Sequence, residues 1–171
     1  MTDTTIPAVK ENKFIDATNI LDHNEPVSVK HNIPLKDLIF KLGPGFGYAK
    51  IFDELTPSST DRKVIFHLIG HQVEGAESWP IVKEMEEFGA SLGYRKTNIR
   101  ELLYFCKDIR EEHHQHHEIR NYDVVASGSE AQMTRNISGH YPMAPSAFSM
   151  SSFSKRAKCP PKVLLLMAEE V

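Results

Sequence analysis

Apolar residues recur at helical spacing along five stretches of the chain, with polar residues on the intervening positions. In residues 61–73, for example, Val64, Ile65, Leu68 and Ile69 have the spacing of one helix face. Prolines, glycines and capping residues bound these stretches. The predicted helices span residues 34–41, 48–55, 61–73, 80–92 and 97–119. We therefore expect a mainly α fold, a compact bundle of about five helices with one or two short strands.

Both ends of the chain lack this helical spacing of apolar residues. We therefore predict that the chain consists of a core domain and two arms. Residues 1–30 are polar and form an N-terminal arm, residues 31–120 form the helical core domain, and residues 121–171 form a Ser/Pro-rich C-terminal arm. The apolar run near the C-terminus predicts a buried strand or short helix that anchors this arm. Three apolar residues of the arm are candidates for docking onto a protein partner: Phe148, Met150 and Phe153.

Composition narrows the possible functions. The formal net charge of -3 argues against a sequence-independent nucleic-acid binder but allows a local basic patch. Two cysteines do not make a disulfide framework, which favours a reducing compartment. The first residues do not resemble a secretion signal, and the longest apolar run is far shorter than a membrane span. We expect an intracellular, cytoplasmic protein that is not secreted and does not engage a membrane.

Residues 83–105 resemble the helix-turn-helix motif of DNA-binding proteins. Phe88 and Leu92 fall on buried positions of its first helix, Gly93 on the left-handed turn position, and Ile99 and Leu102 on buried positions of its second. Gly89 takes the position where close helix approach demands a small residue.

The resemblance implies that the N-terminus of the second helix enters the DNA major groove. The residues that would contact bases and phosphates there are Arg95, Lys96, Thr97, Asn98 and Arg100. Four acidic residues face or flank this patch and oppose phosphate binding: Glu84, Glu86, Glu87 and Glu101. The alternative is a corner inside a helical bundle used for protein contacts, since packing alone selects the same buried positions.

Histidines form two pairs that a helix would place one turn apart. His67 and His71 make one pair, and His113 and His117 make another within a tract of four histidines. Imidazole nitrogens at this spacing are typical zinc ligands, and four of them would complete a site if packing brought the pairs together. The alternative for the tract is a polar helix end whose imidazoles favour the helix dipole. No other cofactor is indicated.

No catalytic signature accompanies these features. The chain has no nucleophile elbow, and its cysteines lack a flanking motif. The leading expectation is a non-enzymatic binding protein, an interaction or assembly subunit with a protein partner or a second copy of itself. One alternative is a helix-turn-helix regulator that binds DNA, and another is a His-rich metal-binding protein.

Overall fold

The two longest strands pair with each other at the centre of one sheet. The computed structural model describes residues 13–21, 24–34, 37–38, 60–111, 118–128, 146–147 and 158–171. Its strands are β1 (Phe14–Asp16), β2 (Val27–Val29), β3 (Arg62–His71), β4 (Arg95–Lys96), β5 (Asp123–Val125), β6 (Ser146–Ala147) and β7 (Val163–Glu170). Its helices are α1 (Val82–Ser91) and α2 (Ile99–Glu111), with 3-10 turns at Thr18–Ile20 and Glu118–Asn121.

The sheet is mixed, and its order is β1, β3, β7, β5, β6. β3 and β7 are antiparallel, with Val64 opposite Glu170 and Ile69 opposite Leu165. β1 and β2 pair in turn along the outer side of β3. β4 and β5 share the other side of β7, where β4 is antiparallel and β5 is parallel to it. β6 is parallel to β5 and is the last strand on that side of the described sheet.

β3, α1 and β4 form a crossover unit around β7. Both strands are antiparallel to β7, so they are parallel to each other, and β7 lies between them. A parallel connection needs a crossover of this kind, which α1 provides. α2 then leads towards β5 on the far side of β7.

In the part of the chain that the structure describes, α2 lies on one face of the sheet and α1 on the other. Alternate residues of a strand point to opposite faces, and the two faces of β3 and β7 belong to two separate apolar clusters. The first cluster packs around α2 and includes Phe66, Leu68, Leu102, Phe105 and Leu166. The second packs around α1 and includes Ile69, Val82, Met85, Leu165 and Met167. The described residues therefore form three layers of helix, sheet and helix.

The predicted five-helix bundle is wrong, because the core is a sheet. The helix predicted over residues 61–73 is strand β3. Val64 and Leu68 belong to the α2 side and Ile69 to the α1 side. A strand buried on both faces is apolar at nearly every position, so its residues also satisfied a helical spacing. Its β-branched residues favour a strand.

The remaining predicted helices have mixed outcomes. The helices predicted over 80–92 and 97–119 correspond to α1 and α2, although α2 ends at Glu111 and a 3-10 turn follows at Glu118–Asn121. Residues 37–38 are helical, within the helix predicted over 34–41. The helix predicted over 48–55 lies outside the described residues.

The segments predicted as arms contribute strands to this sheet. β1 and β2 come from residues 1–30, and β5, β6 and β7 come from residues 121–171. The predicted C-terminal anchor is a strand and, as β7, it runs through the middle of the sheet. Among the described residues, no helix has the length and apolar character needed to cross a membrane.

Candidate functional site

Two histidines of β3, four residues apart, lie on its α1 side. His67 and His71 point to the same face as Ile69, and both are largely buried. His71 Nε2 lies 2.6 Å from the carbonyl oxygen of Cys159, so this histidine tethers the chain just before β7. His67 lies nearer the C-terminal end of β7, where polar side chains gather.

His67 is the centre of a polar cluster that we call the His67 network, formed by Asp16, Thr18, His67, Tyr94 and Glu169. His67 Nε2 lies 3.2 Å from Glu169 Oε2, and Nδ1 lies 3.5 Å from Thr18 Oγ1. The imidazole stacks on the Tyr94 ring, with centroids 3.7 Å apart and planes 9° apart. Tyr94 and Thr18 both donate hydrogen bonds from their hydroxyl groups to Asp16. The network thus joins β1, the first 3-10 turn, β3, β7 and the residue before β4.

The pKa values of Asp16 and Tyr94 are shifted in opposite directions. Burial works to raise the pKa of Asp16, but hydrogen bonds from Thr18 and Tyr94 and the charge of His67 outweigh it and hold that pKa below its ordinary value. Burial, with the hydrogen bond to Asp16, raises the pKa of Tyr94 to about 12. Tyr94 therefore remains a neutral hydrogen-bond donor, and the network does not prepare it as a phenolate nucleophile.

Two of the residues predicted to contact DNA are engaged in ion pairs. Arg95 forms a bidentate pair with Glu101 and a further contact with Glu170. Burial works to lower the pKa of Arg95, but bonds and charge from Glu101 and Glu170 raise it above its ordinary value. Lys96 Nζ lies 3.3 Å from Oε2 of Glu86, a buried residue of α1.

The other three predicted DNA contacts also form hydrogen bonds within the protein. Thr97 donates from Oγ1 to the carbonyl oxygen of Leu166 at 2.7 Å. Asn98 caps α2 by accepting the Glu101 amide hydrogen at 3.0 Å. Arg100 is 4% exposed and donates to the carbonyl oxygens of Lys30 and Ile33 at 3.0 and 2.6 Å. DNA binding through these five residues would require several of these contacts to break.

The helix corner differs from two helices joined by a tight turn. Gly93 has a φ of +91°, which confirms its left-handed turn position. However, Leu92 is 44% exposed, so its predicted burial is wrong, whereas Leu102 is buried as predicted. Strand β4 separates the helices, and α1 and α2 lie against opposite faces of the sheet.

Gly89 lies against the sheet and not against a second helix. A Cβ at Gly89 would lie 2.9 Å from Met167 Cε and 3.4 Å from Ile69 Cγ1. Gly89 thus allows α1 to approach β3 and β7 closely.

The structure does not bring together His67 and His71, two of the histidines predicted to bind zinc. His67 and His71 are four residues apart on a strand, which is about 13 Å along its axis, so they do not converge as a helical pair would. No group of three or more metal-ligating side chains occurs among the described residues. His113 and His117 lie outside those residues, so their contribution stays a prediction.

The residues predicted to dock onto a partner, Phe148, Met150 and Phe153, also lie outside the described residues. They follow β6 directly in sequence.

Four members of the His67 network were missed by sequence reasoning. Asp16, Thr18, Tyr94 and Glu169 come from separate segments, and no local spacing connects them. Two features of the sequence could have indicated part of this network. A strand at β3 would place His67 and His71 on one face of the sheet. Glu169 is a polar residue near the end of an otherwise apolar strand. No protein-family model, curated protein or solved structure matches the chain.

Proposed function

We propose that this chain is a non-enzymatic binding protein that associates through the β6 edge of its sheet and the apolar residues that follow it. The observation that supports this most is the position of β6, the last strand on its side of the described sheet. Phe148, Met150 and Phe153 follow it within six residues. The edge of a sheet is a common place for protein recognition.

The partner that we favour is a second copy of the chain. A two-fold dimer brings the same surface of both copies together and needs no other protein. Burying one Phe or Met side chain contributes about 1.5–3 kcal/mol. Three such side chains per copy would supply enough free energy for a dimer after the entropy cost of association.

The contacts of the His67 network suit a structural role rather than a catalytic one. A general base needs a ring nitrogen directed at the substrate, whereas both ring nitrogens of His67 face oxygen atoms of the protein. The hydroxyl groups of Thr18 and Tyr94 both donate to Asp16. These contacts suit a structural clamp between strands.

We also place the protein inside the cell, in a reducing compartment. Cys106 and Cys159 are free, buried thiols that belong to the apolar clusters on opposite sides of the sheet. Burial raises their pKa values to about 12 and about 11. Both therefore act as apolar core residues.

Light scattering coupled to gel filtration tests the proposal. The full chain should show a dimer whose fraction rises with protein concentration. Because both copies lose three apolar side chains, the triple variant Phe148→Ser, Met150→Ser, Phe153→Ser should weaken association by about 9 kcal/mol or more, which is over about a million-fold in Kd, and should be monomeric. Leu92→Ser is the matched control, because Leu92 is an exposed apolar residue at the end of α1. A chain that is monomeric at every concentration, or a dimer unaffected by the triple variant, would overturn the proposal.

A further inference from the structure

A carboxylate lies on the side of α1 that packs on the sheet. Glu86 is 7% exposed and shares the buried side of the helix with Val82, Met85 and Gly89. The helix is close to the sheet here, since a Cβ at Gly89 would lie 2.9 Å from Met167 Cε. Water therefore has little access to the Glu86 carboxylate unless this part of α1 moves away from the sheet.

A lysine of β4 supplies the countercharge for this carboxylate. Lys96 is opposite Met167 in the pairing of β4 with β7, so its side chain lies on the α1 side of the sheet. Its Nζ is 3.3 Å from Glu86 Oε2. Among the described residues, no second cation forms an ion pair with Glu86, and Glu86 Oε1 has no hydrogen-bond partner. The buried charge of Glu86 is thus balanced by Lys96.

Two other lysines pair with acids of α1, but water reaches both of these acids. Lys13 pairs with Glu84, whose side chain is 40% exposed, and Lys83 pairs with Glu87, whose side chain is 67% exposed. Water solvates an exposed carboxylate when its lysine is lost, so such pairs contribute little to stability. Loss of one member of a buried pair instead leaves an uncompensated charge in the interior. Of the three lysines, Lys96 is therefore the one whose charge α1 needs in order to stay on the sheet.

The amine of Lys96 is open to chemical modification although its partner is buried. The Lys96 side chain is 43% exposed. Acylation of a lysine amine removes its positive charge and its ability to form an ion pair. We propose that Lys96 is a modification site, at which acylation of Nζ loosens α1 from the sheet.

The acyl donor that fits this step is a thioester. The ion pair opens, the ammonium loses a proton, and the neutral amine attacks the thioester carbonyl carbon. A carbon–nitrogen bond forms and the carbon–sulfur bond breaks. Of the two protons that the ammonium group loses in all, one goes to the departing thiolate and the other to solvent. The product is a neutral amide, so Glu86 is left as a buried carboxylate without a countercharge.

Hydrogen exchange of the full chain with Nε-acetyllysine placed at position 96 by genetic-code expansion tests the proposal. Protection of the α1 amides, Val82–Ser91, should fall about ten-fold or more relative to the unmodified chain. Lys96→Gln should lose protection in the same way, whereas Lys96→Arg keeps the charge and should keep the protection. The matched control is acetyllysine at position 83, because Lys83 pairs with the exposed Glu87. Unchanged protection after acetylation at position 96, or equal losses at the two positions, would overturn the proposal.

The variant Glu86→Gln separates the loss of charge from the added bulk of the acyl group. It lacks the buried carboxylate, so acetylation at position 96 should change the protection of α1 by about two-fold or less. An equal loss with and without the carboxylate would overturn the proposal. If the acetylated chain does not fold, recovery of folding in Glu86→Gln supports the proposal, and failure to fold in both backgrounds contradicts it.

Discussion

Arg95 donates two hydrogen bonds to Glu101, at 2.6 and 3.1 Å, and so joins β4 to the first turn of α2. The Glu101 side chain is only 2% exposed and also accepts the amide hydrogen of Asn98 at 2.9 Å. The pair connects the α2 side of the sheet with the helix that covers it. It also neutralises the cation that the helix-turn-helix resemblance would direct at DNA.

Replacing Arg95 by alanine should destabilise the protein strongly. Arg95→Ala leaves the buried carboxylate of Glu101 without its guanidinium partner, and removal of one member of a buried pair costs about 3 kcal/mol or more. Urea unfolding followed by circular dichroism measures this loss. Arg62→Ala is the control, because the pair of Arg62 with Glu170 is exposed and should contribute about 1 kcal/mol or less. Equal losses in the two variants would show that the buried Arg95 pair contributes no more than the exposed Arg62 pair.

The sequence predicted the helices better than the strands, for physical reasons. α1 and α2 each have one buried face and one polar face, so the helical spacing of their apolar residues is visible in the sequence. Leu102, Leu103, Cys106 and Ile109 are buried as predicted. β3 is buried on both faces, and its residues from Val64 to Ile69 are apolar except for His67, so this stretch was compatible with either structure.

The pairing of strands that are distant in the sequence could not be predicted from the local pattern of apolar residues. β4 has only two residues and exists because it pairs with β7, more than seventy positions later. The His67 network has the same origin, since β1, β3 and β7 bring together residues as distant as Asp16 and Glu169. Of its members only His67 was singled out, and the predicted partner was His71 on a helix rather than Glu169 on a neighbouring strand.

Adding a methyl group at Gly89 should strain the packing between α1 and the sheet. The new Cβ in Gly89→Ala would lie 2.9 Å from Met167 Cε and 3.2 Å from Cγ. Overpacking costs about 1–3 kcal/mol, against about 1 kcal/mol gained in helix propensity. We expect a net loss of about 1 kcal/mol in urea unfolding.

A double-mutant cycle separates the two effects at Gly89. In a Met167→Ala background the crowding is removed, so Gly89→Ala should become stabilising by up to about 1 kcal/mol. If its effect is the same in both backgrounds, contact with Met167 does not determine it.

Asp16 should make the fold sensitive to acid. Its folded pKa lies below the ordinary value because hydrogen bonds from Thr18 and Tyr94, helped by the charge of His67, outweigh burial, which acts to raise it. The stabilisation is therefore present above the ordinary carboxyl pKa of about 3.9 and is lost as pH falls through the folded value.

Asp16→Asn measures that contribution. The variant should be less stable than wild type near pH 6 and should lose less stability between about pH 5 and pH 3, measured as the urea midpoint at each pH. Asp37→Asn provides a control at an exposed aspartate away from the network. An unchanged pH dependence in Asp16→Asn would contradict the role assigned to this carboxyl group.

The DNA-binding hypothesis makes a sharp prediction at low salt. Phosphate contacts are strongest at about 50 mM salt, where fluorescence anisotropy with labelled duplex DNA should detect them. Because Arg95 and Lys96 are paired with Glu101 and Glu86 and Arg100 bonds backbone oxygens, we expect no salt-dependent binding through this patch. The decisive comparison is between wild type and Lys96→Ala, since Lys96 is half-exposed and its loss leaves the Arg95 pair intact. Salt-dependent binding that Lys96→Ala weakens would support the helix-turn-helix interpretation and would mean that the Lys96–Glu86 pair opens when DNA binds.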